Sequence, residues 1–315
     1  MSRHRILRGS DLPALNILVT GAGGRIGRRL IPLLAECGHR VIAVDRCLTG
    51  SARWVTIEGD LLVEDTRVAA FSALLGHDAE RKAVVHLAGL SDSTVASDQR
   101  TQAFIANVQL TQRMLESAIS FGAPRFLLAS TGLVYARENQ GRIVENAPVM
   151  PRSVYAATKL AAETIVQGYA VEGLVGCEIL RLSNVYGPES PENTVIGRIL
   201  GQMRRGEPVA VMSREPVRDF IFVDDVASAI CGILQSEDET GCRITNISSG
   251  VSSSVGEVVD IAQAVSAGIA LKINELPDRV MLCNEAIRNR IGWQPRHTLP
   301  EGLRACLGLV NGHEQ

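Results

Sequence analysis

The run NILVTGAGGRIG at residues 16–27 decides the fold. Residues 16–20 are a short apolar stretch closed by glycines, the pattern of a buried parallel strand. Gly21, Gly24 and Gly27 then follow at G-x-x-G-x-x-G spacing, and residues 24–36 carry apolar side chains at helical intervals. Glycines in such a turn permit a tight reversal and let backbone N–H groups approach a pyrophosphate, whose charge the helix N-terminus favours. The strand–turn–helix setting matters, because a chain with 29 glycines shows the bare spacing by chance about 0.2 times. Arg25 and Ile26 lie inside the turn and are grouped with the glycines as dinucleotide-contacting positions. Pro32 interrupts the expected helix and Gly38 marks its stop.

Outward from this stretch, strands are expected at 40–45, 54–57, 83–87, 125–130 and 176–181, alternating with helices at 64–75, 98–121 and 153–172. That alternation predicts an α/β fold, a doubly wound parallel sheet of the Rossmann kind covered on both faces. After residue 185 the pattern loosens at Gly187-Pro188 and Pro191. Helices at 193–205, 225–235 and 254–266 and strands at 219–223, 243–247 and 270–273 read as a smaller mixed α/β region. The expected organisation is an N-terminal arm at 1–15 and a dinucleotide-binding domain at 16–185, to which 218–250 returns. A substrate-binding region takes up 186–217 and 251–315.

Composition narrows the function. Of 315 residues, 46% are hydrophobic and 21% charged, which excludes a disordered chain. A net charge of −2 leaves no basic field for nucleic acid. No apolar run reaches membrane-span length, and the first fifteen residues lack the apolar stretch of a signal peptide. Seven Cys without C-x-x-C and six scattered His argue against a disulfide framework and against a metal site, and for a reducing, cytoplasmic setting.

Asp45 ends the second expected strand, where an acid accepts hydrogen bonds from adenosine ribose hydroxyls; the competing reading is an ordinary strand-end carboxylate. An acid there disfavours a 2′-phosphate and so points to NAD, with Arg46 as the one residue that could rescue NADP. Asp60, followed by Leu61, either sits at the adenine edge or starts a turn. Tyr155 and Lys159, four residues apart on one helix face, give the most specific signal. With four Tyr and only three Lys (Lys82, Lys159 and Lys272), Tyr-x-x-x-Lys arises by chance about 0.04 times. A nearby ammonium and an oxidised nicotinamide would lower the phenol pKa, so that it could exchange a proton with a substrate hydroxyl or carbonyl.

Together these residues resemble the extended short-chain dehydrogenase/reductases, the NAD-dependent epimerase/dehydratase family. The resemblance runs in order through TGAGGRIG (20–27), VD (44–45), GDL (59–61), HLAG (86–89), ASTGLVYA (129–136), YAATK (155–159), RLSNVYGP (181–188), VRDFIFVDDVA (217–227) and IGWQP (291–295). It implies NAD as cofactor and a catalytic set of Thr131, Tyr155 and Lys159, with Ser130 as runner-up to Thr131. Leu87, Ala88 and Gly89 join the cofactor site, and Asn107 stands where the family often places an Asn. Ser91, Thr131, Asn184 and Arg218 would touch substrate, Arg218 at a sugar-nucleotide diphosphate unless it is an ion-pair partner of Asp219 or Asp224. Asp224-Asp225 reads as a helix N-cap. Helices 98–121 and 153–172 would form the four-helix bundle of a homodimer, or pack only on their own sheet.

Two departures limit the resemblance. Gly132 and Leu133 replace the Asp-Glu that the family's 4,6-dehydratases carry after the catalytic Thr, which disfavours dehydration. The diphosphate-gripping segment near the C-terminus is altered, with Arg279 out of register and Cys283-Asn284 where Ala-Asp is usual. The leading expectation is an NAD-dependent epimerase or ketoreductase/dehydrogenase of a nucleotide-linked sugar. A dehydrogenase of a small free sugar or sugar acid is the alternative, and a non-catalytic NAD-binding sensor the remote one. No G-x-S-x-G elbow or P-loop supports a hydrolase or kinase.

Overall fold

In the computed structural model, which describes residues 13–48, 50–76, 81–139, 141–236, 241–267 and 281–309, the opening apolar run is strand β1 (Leu15–Thr20), buried throughout. It is followed by α1 (Arg25–Glu36), β2 (Arg40–Asp45), β3 (Val55–Glu58), α2 (Glu64–Leu75), β4 (Arg81–His86), α3 (Ser93–Asp98) and α4 (Arg100–Phe104). A π-helical turn, Ile105–Gln109, joins α4 to α5 (Leu110–Ser120), and β5 (Arg125–Thr131), β6 (Arg142–Ile143) and α6 (Val154–Val171) come next. Then follow β7 (Gly176–Leu182), β8 (Asn184–Tyr186), α7 (Val195–Arg204), β9 (Val217–Phe222) and α8 (Val223–Leu234). The described chain closes with β10 (Cys242–Ile247), β11 (Ser252–Ser254), α9 (Val255–Ser266), β12 (Met281–Leu282), α10 (Glu285–Ile291) and α11 (Leu299–Leu307).

Seven strands form a parallel sheet in the order β10-β7-β5-β4-β1-β2-β3. The order reverses between β1 and β4, so the carboxyl ends of these two strands define the switch point where ligands bind in doubly wound sheets. Beneath α2, α5 and α6 lies a core built around Phe71, Met114, Phe126, Leu128 and Val166, all at or below 1% exposed. Pro32 stays inside α1, whose Leu30, Ile31 and Leu34 are buried; that burial outweighs the one missing N–H bond. Gly38 adopts φ +85°, as a helix stop requires.

The described residues divide into two compact units. One comprises the chain up to Val134, Pro151–Leu180 and Ala227–Thr245; the other comprises Tyr135–Met150, Arg181–Val226 and the chain from Asn246 onward. This division is more interleaved than the boundaries expected from sequence. Residues 135–150, 181–185, 218–226 and 246–250 all fall in the second unit, because the chain changes unit after Val134, after Met150, and within β7, α8 and β10. The second unit holds the sheet β11-β9-β8, the pair β12-β6, and α7 and α11 packed on α9.

The single helix expected at 98–121 is two α-helical pieces, α4 and α5, joined by a π turn, which widens the helix locally. The strand expected at 270–273, Arg279, and all but the last residues of the 1–15 arm lie outside the described residues. All seven cysteines are free thiols, and Cys37 and Cys231 have their sulfurs 3.4 Å apart. No helix among the described residues is long and apolar enough to cross a membrane.

Candidate active site

The glycine turn joins the carboxyl ends of β1 and β4. Gly21 has φ +68°, and a Cβ there would stand 2.6 Å from the Ala88 amide nitrogen, so only glycine lets the two strand ends approach this closely. Leu87 N–H donates to the Thr20 carbonyl (3.2 Å) and Ala88 N–H to Thr20 Oγ1 (3.2 Å), which itself pairs with His86 Nδ1 at 2.8 Å. A Cβ on Gly27 would fall 2.5 Å from the Ala22 carbonyl oxygen. Gly24 is the N-cap of α1; it offers no side-chain cap, and the first turn of α1, with Arg25 and Ile26, holds no acid. The N-terminus of a helix without a side-chain cap or an acid in its first turn suits an anion.

Asp45 closes β2 beside this turn. Its Oδ2 accepts from Gly23 N–H (2.9 Å) and its Oδ1 from Arg46 N–H (2.7 Å), so the carboxylate is anchored with lone pairs to spare. Asp60 is exposed and builds a turn: its Oδ1 accepts from Leu62 N–H (2.9 Å) and its carbonyl from Val63 N–H (3.0 Å). Leu61 beside it is 4% exposed.

Along α6, Tyr155 and Lys159 share a face because they are one turn apart, and Ser153 caps the helix by accepting from Ala156 N–H. Both side chains are buried, at 8% and 6% exposure. Lys159 Nζ donates to the Ala129 carbonyl on β5 at 2.9 Å. Burial pulls its pKa from 10.5 to about 8, against the opposing charge of Glu163. Thr131, the last residue of β5, is 8% exposed, and its side chain hydrogen-bonds the Tyr155 phenol. Burial pushes Tyr155 up to about 12, with Thr131 pulling the other way. The sequence reading expected this pKa to be lowered; in the chain by itself desolvation dominates and the ammonium of Lys159 is engaged with a carbonyl.

Ser130, the runner-up to Thr131, is engaged elsewhere. Its hydroxyl donates to the fully buried Glu163. Asn107, 1% exposed in the π turn, donates to the Leu90 carbonyl (3.1 Å) and Thr158 Oγ1 (3.0 Å) and accepts from Leu90 N–H (2.8 Å). It ties the segment after β4 to α6. Gly89 closes this contact: a Cβ there would lie 2.6 Å from Asn107 Oδ1 and 3.4 Å from Lys159 Nζ. Ser91, two residues on, is exposed.

In the second unit Asn184 opens β8 and donates to the Asp219 carbonyl at 3.1 Å. Arg218 is exposed, and its guanidinium donates to the Val217 carbonyl (2.7 Å). It makes no ion pair among the described residues. Asp219 is engaged elsewhere: Oδ1 accepts from Ser249 N–H and Oγ (both 2.9 Å), and Oδ2 from Gly250 N–H (3.2 Å). Burial raises the Asp219 pKa to about 6 against these bonds. The N-cap expected of Asp224-Asp225 is corrected: α8 begins at Val223, so both acids lie in its first turn. Asp225 instead accepts from the backbone N–H groups of Arg296 (2.9 Å) and His297 (3.1 Å). No group of His, Cys, Asp and Glu among the described residues could hold a metal ion.

Sequence reasoning passed over Glu163, although the repeat of four from 155 through 159 already contained it. It also passed over the Thr20–His86 pair and the Asp219 clasp, whose partners lie 66 and 30 residues apart and leave no local signal.

Residues 17–248 match the NAD-dependent epimerase/dehydratase family, and the chain belongs to that family. It is 30% identical to the UDP-glucose 4-epimerase of Mycolicibacterium smegmatis over 96% of this chain and all of the relative. Among solved structures it is similar to MoeE5 in complex with UDP-glucuronic acid and NAD: 30% identity, TM-score 0.81, 93% of this chain and 98% of the other. It is also similar to the UDP-glucose 4-epimerase of Thermotoga maritima with UDP-glucose, at 25% identity and TM-score 0.81 over 93% and 97% of the two chains.

Proposed function

We propose that this protein is an NAD-dependent epimerase of a nucleoside-diphosphate sugar, with UDP-hexoses or UDP-hexuronic acids as the first substrates to test. The observation that carries the reading is the buried set Thr131, Tyr155 and Lys159, assembled from β5 and α6. The substrate class is supported by the UDP-sugars named for the relatives.

The residues present fit NAD. A glycine cradle that a Cβ would fill at Gly21 and Gly27, and the N-terminus of α1 with Gly24, Arg25 and Ile26, suit the pyrophosphate. Asp45 would take the adenosine ribose hydroxyls, Asp60 and Leu61 the adenine edge, and Leu87, Ala88 and Gly89 the facing wall. A 2′-phosphate would meet the Asp45 carboxylate, which favours NAD over NADP. Bound NAD supplies hydride transfer at its nicotinamide and, when oxidised, a positive charge. Lys159, fixed by Ala129, would hold the nicotinamide ribose. Tyr155 would take the proton from the substrate hydroxyl and return it after the sugar presents its other face, while Thr131 hydrogen-bonds the same oxygen. Ser91, Asn184 and Arg218 would contact substrate, Arg218 meeting phosphate in the two-pronged geometry of a guanidinium. We further infer a homodimer formed through α5 and α6, and a cytoplasmic setting in keeping with seven free thiols.

The test is to denature the purified protein, assay the released nucleotide for NAD, and incubate the native protein with UDP-glucose, UDP-galactose and UDP-glucuronic acid without added cofactor. NMR should detect interconversion of 4-epimers with no net NADH. Net NADH would make it a dehydrogenase. Turnover of free sugar acids alone would remove the nucleotide sugar.

A further inference from the structure

The Tyr155–Lys159 face of α6 continues one turn further to Glu163, so three polar side chains stand at steps of four. All three are buried, and Glu163 most completely, at 0% exposure. A carboxylate is rarely placed so deep without a task, because burying its charge is costly unless it is compensated. Its hydrogen-bond partner on β5 is the neutral hydroxyl of Ser130, which supplies a donor and no charge. The buried cation on the same helix face is Lys159, one turn away, and the attraction between the two opposes the neutralising effect of burial on that ammonium.

We propose that Glu163 is a positioning residue for catalysis: its buried carboxylate keeps Lys159 charged, and through Lys159 it governs the ionisation of the Tyr155 phenol. The inference rests on the assignment of Tyr155 and Lys159 given above, and concerns a residue that never meets substrate or cofactor. From β4, His86 sits in the field of Lys159 and is held neutral by burial, its pKa pushed down to about 3. Near Lys159 Nζ, Gly89 and Asn107 are uncharged. From β10, the Cys242 thiol is pushed up to about 11 by burial, then by the charges of Glu163 and Glu178. Glu178 on β7 is engaged by Thr245 Oγ1 at 2.6 Å. Lys159 therefore has Glu163 as the counter-charge on its own helix, and the acid is separated from the reacting proton by two turns.

The chain contains only three lysines, so the test can read Lys159 directly. Protein labelled with carbon-13 at lysine is titrated by NMR, the Lys159 signal being assigned by its loss in Lys159→Arg. In parallel, tyrosinate absorbance is titrated with saturating NAD, the Tyr155 component being the one missing in Tyr155→Phe. Glu163→Gln should lower the Lys159 midpoint and raise that of Tyr155, each by about one pH unit. The acid limb of the kcat/KM profile should move with Tyr155, and activity should recover at high pH. Ser130→Ala, which keeps the charge, should move either midpoint by less than half as much. If Glu163→Gln fails to fold, Glu163→Asp withdraws the charge by one methylene and should shift both midpoints in the same directions by a smaller amount. Unmoved midpoints in the folded variant would overturn the proposal, as would a loss of rate equal at every pH. The NMR titration tests the Glu163–Lys159 coupling even if Tyr155→Phe stays active, an outcome that would sink the Tyr155 assignment instead.

Discussion

A phenol with a pKa of about 12 is a hydrogen-bond donor at neutral pH, and it becomes a base only when positive charge is brought beside it. Tyr155→Phe removes that oxygen and nothing that holds the dinucleotide. Epimerisation should fall about 10²–10⁴-fold, while NAD affinity measured by calorimetry stays near that of the wild type. Lys159 carries the opposite burden. Below about pH 8 its proton is bound in both folded and unfolded chains, and burial of the charge costs stability in full. Between about 8 and its ordinary 10.5 the unfolded chain keeps the proton and the folded one loses it, so stability rises with pH across that window. Lys159→Met should therefore be inactive yet more stable to unfolding than wild type at pH 7, by on the order of 3 kcal/mol, and the difference should fade by about pH 10.5. Equal melting of the two proteins at pH 7 would contradict this. Arg218, exposed and outside any ion pair among the described residues, is free to meet a diphosphate. Arg218→Lys should raise KM for a UDP-sugar about tenfold or more, because a point charge replaces a fork. An unchanged KM would leave Arg218 a surface residue. At this scale the sequence was informative where spacing is local: Tyr155 and Lys159 lie on one helix turn. Spacing alone could not rank Thr131 above Ser130; the family resemblance did, and the separate partners of the two hydroxyls become visible only once β5 and α6 are packed.

The first βα unit concentrates its requirements in two glycines. A Cβ at Gly27 would fall 2.5 Å from the Ala22 carbonyl oxygen and 2.6 Å from that of Gly21, so α1 would have to shift away from the turn it closes. Gly27→Ala should weaken NAD binding at least about tenfold in calorimetry and lower the melting temperature, whereas an unaltered affinity would mean that the helix end is not the pyrophosphate site. Long elements such as α2 and α6 were legible from their length and end signals: Glu64, Asp65 and Gly76 bracket α2, and Ser153 caps α6. The short strands β6, β8, β11 and β12 were not, since two or three residues carry no period and their pairing partners lie far along the chain. The π turn at Ile105–Gln109 was hidden for a different reason. It keeps helical spacing on either side and announces itself only by turning Asn107 inward, where it bridges Leu90 and Thr158.

At the scale of the molecule, the unit boundaries were the least legible feature. Contacts define them, and the chain changes unit inside β7, α8 and β10, where a sequence pattern sees uninterrupted elements. The proposed homodimer belongs to this scale as well. One face of α6 leaves Ala157, Thr164, Gly168 and Val171 exposed, and the start of the neighbouring helical run leaves Phe104 54% exposed. Small and apolar residues on a helix flank permit close approach of a second helix, and two helices from each of two copies make a four-helix bundle about a two-fold axis. Such an interface is self-complementary, so one substitution enters it twice. Thr164, exposed and midway along α6, is the place to try this, since its own hydroxyl only back-bonds to the Leu160 carbonyl at 3.0 Å. Wild-type protein should sediment with about twice the 33.8 kDa mass of one chain. Thr164→Arg places two buried charges in the bundle without a partner, a change that typically costs several kcal/mol, and should sediment as a monomer at the same concentration with its far-ultraviolet spectrum unchanged. If the variant remains dimeric, α6 does not form the interface; if the wild type is itself monomeric, the exposed flank of α6 is ordinary surface.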